Sequence, residues 1–109
     1  MSQSISAANV KTIIFACEAG MGSSLMSVNA LKRKMSAAHI LHINVVHKPA
    51  REVPTDAQLI IVHKGLAKIV RAKAPNAVIL SFFQFLDDPI FDKLVKALVE
   101  NAEIVSNEP

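Results

Sequence analysis

The sequence predicts an α/β fold in which a four-stranded parallel sheet carries helices on both faces. Four short apolar runs alternate with helical or crossover segments along the chain, and this alternation is typical of a parallel sheet in a three-layer, Rossmann-like arrangement. The apolar residues are mainly Ile, Val, Leu and Ala, which suit strands covered on both faces. A length of 109 residues fits a single domain.

The individual elements are predicted from hydrophobic period and from turn residues. Residues 10–16 form the first strand because their apolar run is nearly continuous. Residues 22–38 form the first helix because apolar side chains recur on one helical face. The last helix begins at Pro89 behind an Asp88 cap, and its apolar spacing continues to Ala102. The remaining predictions are strands at residues 40–46, 59–62 and 77–80, a helix at 64–73, and loops or single turns at 47–58 and 81–87.

Both ends of the chain are predicted to lack regular structure. Residues 1–9 are small and polar and are predicted to form a flexible lead. Residues 105–109 are predicted to fray. The folded domain is therefore expected to span residues 10–105, without an internal repeat or a second domain.

Composition excludes several functional classes. Lys and Arg number 12 against 9 Asp and Glu, and with no Trp or Tyr the chain lacks the basic, aromatic surface that nucleic acid requires. The single cysteine excludes an internal disulfide. No apolar stretch is long enough to cross a bilayer, and the first residues lack the pattern of a signal peptide. We therefore expect a cytoplasmic protein.

One stretch carries recognisable chemistry, and it reads Cys-Glu-Ala-Gly-Met-Gly-Ser-Ser over residues 17–24. It joins the first strand to the first helix. The backbone amides of Gly20, Gly22, Ser23 and Ser24 can all point inward, because glycine permits close approach and a helix start leaves N–H groups unpaired. The same field favours a thiolate, so the pKa of Cys17 is predicted to lie below about 8.5. These features indicate a cysteine that carries a phosphoryl group.

Residues 15–24, Phe-Ala-Cys-Glu-Ala-Gly-Met-Gly-Ser-Ser, closely resemble the phosphocysteine loop of the mannitol-type enzyme IIB of the bacterial phosphoenolpyruvate-dependent sugar phosphotransferase system. The likeness runs from about residue 10 to residue 100 of this sequence. It includes residues 53–57 before the third strand, Val62 and His63 at its end, and residues 76–86 around the fourth strand.

The resemblance implies a phosphotransferase that works as a relay. Cys17 would accept a phosphoryl group from a phosphohistidine on enzyme IIA and pass it to a sugar alcohol, mannitol by this likeness, bound by the membrane enzyme IIC. It implies no metal or organic cofactor, and membrane association only through IIC. The expected phosphate cradle consists of Glu18, Ala19, Gly20, Met21, Gly22, Ser23 and Ser24. Related IIB proteins for other sugars use variants of this loop, and Glu18 stands where the mannitol proteins carry Asp.

The four histidines are scattered and show no metal-ligand spacing. His39 and His42 are expected to be exposed. His63 follows the third predicted strand of the sheet and faces the same edge as the cysteine loop. Two interpretations remain open for His63, a role near the phosphate and a structural one.

Two other functional classes compete with the carrier. Low-molecular-weight tyrosine phosphatases share this kind of fold, a cysteine loop and an Asp-Pro pair that supplies a general acid, as Asp88 and Pro89 would here. Their loop places an arginine six residues after the cysteine, where this chain has Ser23, so the charge clamp for hydrolysis is missing. A non-catalytic phosphate-binding module is the second alternative, and it leaves Cys17 without a role.

Overall fold

The centre of the fold is a parallel sheet of β2 (Thr12–Cys17), β3 (Asn44–Pro49), β4 (Leu59–His63) and β5 (Val78–Phe82), with the strand order β3-β2-β4-β5. The computed structural model of the chain describes residues 4–17, 22–83 and 89–107, without the side chains of residues 22–25. The predicted four-stranded α/β sheet is confirmed.

Helices cover both faces of this sheet. α1 (Gly22–Ala37) and α3 (Pro89–Val99) pack on one face, and α2 (Ala67–Lys73) packs on the other. Alternate strand residues supply the two cores, so Ile13 and Phe15 face α1 and α3 while Ile14 and Ala16 face α2. The predicted three-layer arrangement is therefore confirmed. None of the helices in the described ranges has the length and apolarity needed to cross a bilayer.

The second predicted strand lies four residues too early, since β3 spans Asn44–Pro49 rather than residues 40–46. Ile40 and Ile43 are buried, but in the connection that follows α1. β3 also continues through Pro49, which the sequence places in a loop. A proline is tolerated there because β3 lies at the edge of the sheet and Pro49 is its last residue. The predicted single turn is a 3-10 helix at Ala50–Glu52.

The chain ends differ from their predicted irregular state. β1 (Ser4–Ser6) pairs antiparallel with β6 (Glu103–Val105), so residues 4–6 of the predicted lead belong to a two-stranded ribbon. Each of these strands is only three residues long, which is too short to show the alternation of apolar and polar residues that predicts a strand. Ala7 and Ile104 are buried against the core formed by α1 and α3. Residues 1–3, 108 and 109 lie outside the described part.

Ser106 and Asn107, which follow β6, form hydrogen bonds with the outer edge of β5. The buried Ser106 hydroxyl accepts from Ile79 N at 3.3 Å and donates to Ile79 O at 2.9 Å. Asn107 Oδ1 accepts from Ser81 N at 2.7 Å, and Asn107 Nδ2 donates to Ser81 O at 3.1 Å. Arg71 of α2 also donates to the Ser106 hydroxyl, at 3.2 Å. The chain is thus ordered beyond the point where fraying was predicted.

α1 and α3 end in the same way. His39 follows α1 with a φ of 62°, and Asn101 follows α3 with a φ of 53°. After each of them an amide reaches back to the helix, from Ile40 N to Met35 O at 2.8 Å and from Ala102 N to Ala97 O at 2.9 Å. This is the helix-ending turn in which glycine is usual, here formed by residues with side chains.

Candidate functional site

The site predicted from the sequence lies at the carboxyl end of the central strands. β2 has β3 on one side and β4 on the other, so the connection after β2 runs to one side of it and the connection after β3 crosses back to its other side. In open parallel sheets such a switch in strand order leaves a crevice where ligands bind. Cys17 is the last residue of β2, directly at this switch.

Cys17 and His63 lie on the same face of the sheet. Ala16 pairs with Val62, so the next step along β2 and β4 brings Cys17 and His63 side by side. Because side chains alternate, both follow the face occupied by Phe15 on β2 and by Ile61 on β4, which is the face of α1 and α3. Neighbouring strands are about 4.8 Å apart.

Three phenylalanines form an aromatic floor beneath this edge. Phe15, Phe82 and Phe91 are fully buried, and their ring centroids lie 5.3 to 6.1 Å apart. Phe15 is two residues before Cys17 on β2, and Phe82 pairs with His63 across β4 and β5. The sequence prediction placed Phe82 in a connection, but it is the last residue of β5, whereas Phe83 is 71% exposed.

The thiol of Cys17 is nearly enclosed. Cys17 is 5% exposed, and its Sγ lies 3.7 Å from the carbonyl oxygen of Lys48 on β3. A thiol can donate to that carbonyl, and a thiolate cannot. This contact therefore stabilises the protonated form, in opposition to the loop amides that the sequence predicts around the sulfur.

The imidazole of His63 is held in a defined orientation. Its Nδ1 accepts a hydrogen bond from Gly65 N at 3.1 Å, which caps the 3-10 helix Lys64–Leu66 that leads into α2. The ring meets Phe82 edge-on, with centroids 5.6 Å apart and an interplanar angle of 83°. His63 is half-buried.

The remaining predicted site residues divide by position. Gly22, Ser23 and Ser24 are the first residues of α1, as predicted, but their side chains fall outside the described part. Asp88 is also outside it, whereas Pro89 begins α3 as predicted. The other members of the predicted cradle lie outside the described residues, and these are Glu18, Ala19, Gly20 and Met21.

Two further histidines lie in the connection between α1 and β3, outside the parallel sheet. His39 and His42 are exposed, as predicted. Within the described ranges, no group of three or more His, Cys, Asp or Glu side chains is arranged to hold a metal ion.

Sequence reasoning missed the Lys48 carbonyl, the Phe82 ring and Gly65. A carbonyl contact depends on strand pairing and leaves no signal in residue types. Gly65 did carry a signal, because a glycine two residues after a strand-ending histidine permits the close approach seen here. A Cβ added at Gly65 would lie 3.3 Å from His63 Nδ1.

Comparisons with known proteins agree with the residue pattern. The family described as "PTS system, Lactose/Cellobiose specific IIB subunit" matches residues 12–97. The mannitol-specific EIICBA component of Buchnera aphidicola is 44% identical over 92 residues, which cover 84% of this chain and 15% of that protein. The mannitol-specific EIICB component of Bacillus subtilis is 42% identical over 94 residues, covering 86% of this chain and 20% of that protein.

A third relative has similar coverage. The mannitol-specific EIICB component of Geobacillus stearothermophilus is 41% identical over 91 residues, covering 84% of this chain and 19% of that protein. The chain thus spans a fifth or less of the length of these three relatives. The predicted likeness to mannitol-type IIB components is confirmed.

Proposed function

We propose, on the premise that this chain belongs to the IIB subunit family of the phosphotransferase system, that it is a phosphocarrier in sugar uptake whose phosphorylated residue is Cys17. The observation that carries the proposal is the position of this cysteine. It ends the central strand at the switch in strand order, five residues before the first residue of α1. A nucleophile at this position has helix-start amides available for the phosphoryl oxygens.

The proposed step is a phosphoryl transfer from nitrogen to sulfur. The Cys17 thiol loses its proton, Sγ attacks the phosphorus of a phosphohistidine, the N–P bond breaks and an S–P bond forms. The released imidazole takes up a proton, which balances the one lost by the thiol. Loss of that thiol proton also ends its interaction with the Lys48 carbonyl.

The proposed donor is enzyme IIA, and the proposed acceptor is a sugar alcohol bound by membrane enzyme IIC. The names of the relatives support this assignment, because they join C and B components in one mannitol-specific protein. We propose mannitol as the sugar alcohol on the same ground. The backbone amides of residues 18–24, with the hydroxyls of Ser23 and Ser24, are the proposed phosphate cradle. The carrier step would take place in the cytoplasm, where a cysteine stays reduced.

The test is to charge the purified chain. Enzyme I, the small histidine carrier, IIA and phosphoenolpyruvate should add one phosphate to the intact mass. The adduct should persist after the donors are removed and should disappear when membranes containing IIC and mannitol are added. Cys17→Ser should take up no phosphate. Failure of the wild-type chain to acquire the adduct would contradict the proposal.

The same experiment separates a carrier from a phosphatase. A phosphatase speeds attack by water and needs a general acid and a charge clamp, whereas a carrier keeps the thiophosphate until an acceptor arrives. Rapid turnover of an aryl phosphate, abolished in Asp88→Ala, would establish the phosphatase. A chain that binds phosphate but never forms a covalent adduct would be the non-catalytic module.

A further inference from the structure

A group of basic side chains lies beside the proposed site, on the face of the sheet that α2 covers. Lys48 is near the end of β3, Arg51 belongs to the 3-10 helix that follows β3, and Lys68 is the second residue of α2. Arg51 and Lys68 are exposed, and Lys48 is half-buried. These three residues are called the basic rim below.

We infer that the basic rim attracts the negatively charged face of the protein that delivers the phosphoryl group, and so speeds its encounter with Cys17. This inference rests on the proposed function and assigns a surface of the chain to the donor. The matching partner carries a phosphorylated histidine set among acidic side chains.

The topology brings the rim to the edge of the sheet where Cys17 lies. β3 runs parallel to β2, and Lys48 pairs with Ala16, one residue before Cys17. The 3-10 helix Ala50–Glu52 continues from this end of β3 and packs against α2. α2 itself begins shortly after β4 ends, so Lys68 in its first turn also belongs to the carboxyl edge.

The orientation of Lys48 favours a role toward the partner over a role toward the bound phosphoryl group. Side chains alternate along a strand, so Lys48 and Ala16 share the face of α2, while Cys17 follows the face of α1 and α3. A cation on the opposite face acts through its electric field on a large approaching surface.

The charge of this region is unbalanced. In the described residues of β3, of the 3-10 helix after it and of the first turn of α2, the three cations of the rim stand against one acid, Glu52. A phosphoryl group adds negative charge to the surface that carries it. Surfaces of opposite charge associate about 10- to 1,000-fold faster than neutral ones, and the gain falls steeply with salt.

The test is the rate at which phosphorylated IIA charges the chain, with the donor far below saturation. In about 20 mM salt, where charges act over long distances, Lys48→Gln/Arg51→Gln should lower the bimolecular rate constant about tenfold. Lys68→Gln should lower it about threefold. Near 1 M salt the Debye length is about 3 Å, so each variant should come within about twofold of the wild type.

Glu52→Gln tests the sign of the effect. It removes the acid next to Arg51 in the 3-10 helix, so the rate constant in low salt should rise about two- to threefold. A fall in this variant would contradict attraction of a negative surface.

Lys32→Gln/Arg33→Gln is the matched control. It removes two positive charges from exposed side chains of α1, on the other face of the sheet. Arg33 lies about 16 Å along the helix axis from Gly22. The rate constant of this control should stay within about twofold of the wild type. A fall equal to that of Lys48→Gln/Arg51→Gln would show that net charge alone sets the rate, and would overturn the inference.

The final charged fraction separates this inference from the proposed function. The rim acts before transfer, so every rim variant should reach the wild-type fraction of charged Cys17 at long times, with an unchanged unfolding midpoint. Wild-type rates for Lys48→Gln/Arg51→Gln in low salt, or a lower final fraction, would overturn the inference and leave the carrier intact. A wild-type chain that never charges would overturn the proposed function, and this inference with it.

Discussion

The two ends of the parallel sheet are built for different purposes. At the amino end, Gln58 ties the start of β2 to its surroundings, because Oε1 accepts from Lys11 N at 3.0 Å and Nε2 donates to Asn9 O at 2.9 Å. At the carboxyl end, Cys17 Sγ makes a weak contact with Lys48 O at 3.7 Å, and His63 Nδ1 accepts a hydrogen bond from Gly65 N at 3.1 Å.

The two ends of the sheet therefore differ in role. Contacts at the amino end stabilise the fold, and the proposed chemistry takes place at the carboxyl end. Register is set by apolar pairs along β2 and β4 and is held by bonds at the end away from Cys17. The carboxyl end instead carries Cys17, the residue that we propose takes the phosphoryl group. Changes at the amino end should therefore alter the free energy of unfolding without altering charging, and changes at the carboxyl end should do the reverse.

The largest effect is expected for Cys17→Ser. Phosphate uptake should be abolished, because a serine hydroxyl is a far weaker nucleophile than a thiolate. A hydroxyl can still donate to Lys48 O, so the free energy of unfolding should change by no more than about 1 kcal/mol. Intact-mass analysis and denaturant unfolding measure the two quantities. A large loss of stability would show that the thiol also holds the fold together.

Ser106→Ala should give the next largest effect, and on stability alone. The change removes a buried hydroxyl that accepts from Ile79 N and donates to Ile79 O, and Ile79 O keeps its hydrogen bond from Asn107 N. The expected cost is about 1–3 kcal/mol in the free energy of unfolding. Ser106→Thr, which keeps the hydroxyl, is the control. Impaired charging in a folded Ser106→Ala chain would contradict the separation.

Gln58→Ala should have a smaller effect of the same kind. Its bonds to Lys11 N and Asn9 O are exposed, so water replaces them in part. A loss of about 1 kcal/mol is expected, with unchanged charging. Gln58→Glu keeps the acceptor and loses the donor, and it should fall between the wild type and Gln58→Ala in thermal unfolding.

The smallest expected effect is a gain in stability, and it comes from His39→Gly. His39 has a φ of 62°, which glycine adopts without cost. His39→Gly should raise the free energy of unfolding by about 0.5–1 kcal/mol, which is less than the intrinsic strain of the left-handed conformation because glycine also loses more entropy on folding. His42→Gly, on an exposed residue whose φ is not in that region, should not stabilise. Equal unfolding midpoints for His39→Gly and the wild type would contradict this account.

Much of the fold and part of the site could be predicted from local patterns. Residues 22–38 were predicted as a helix and form Gly22–Ala37, because apolar spacing is a strong signal in a long segment. Cys17 and the edge position of His63 follow from strands that end where apolar runs end. By contrast, the Ser4–Val105 pairing joins residues too far apart in sequence for any local pattern to report it.

Tertiary contacts decided the other differences. Ile40 looked like a strand residue because it is apolar, yet it closes the turn after α1 through its bond to Met35 O. The sequence predicts fraying at Ser106 and Asn107 because polar residues near the end of a domain are usually poorly ordered. Their partners are backbone groups of β5, whose position only the folded sheet defines.

The placement of Ser106 and Asn107 also bears on self-association. An outermost strand presents unpaired backbone groups that can recruit a strand from another molecule. On β5, Ile79 and Ser81 already have side-chain partners, so an incoming strand would first have to displace Ser106 and Asn107. The opposite outer strand, β3, carries Lys48 and finishes in Pro49, two residue types that discourage such addition. The open sheet is thereby protected against edge-to-edge aggregation on both sides.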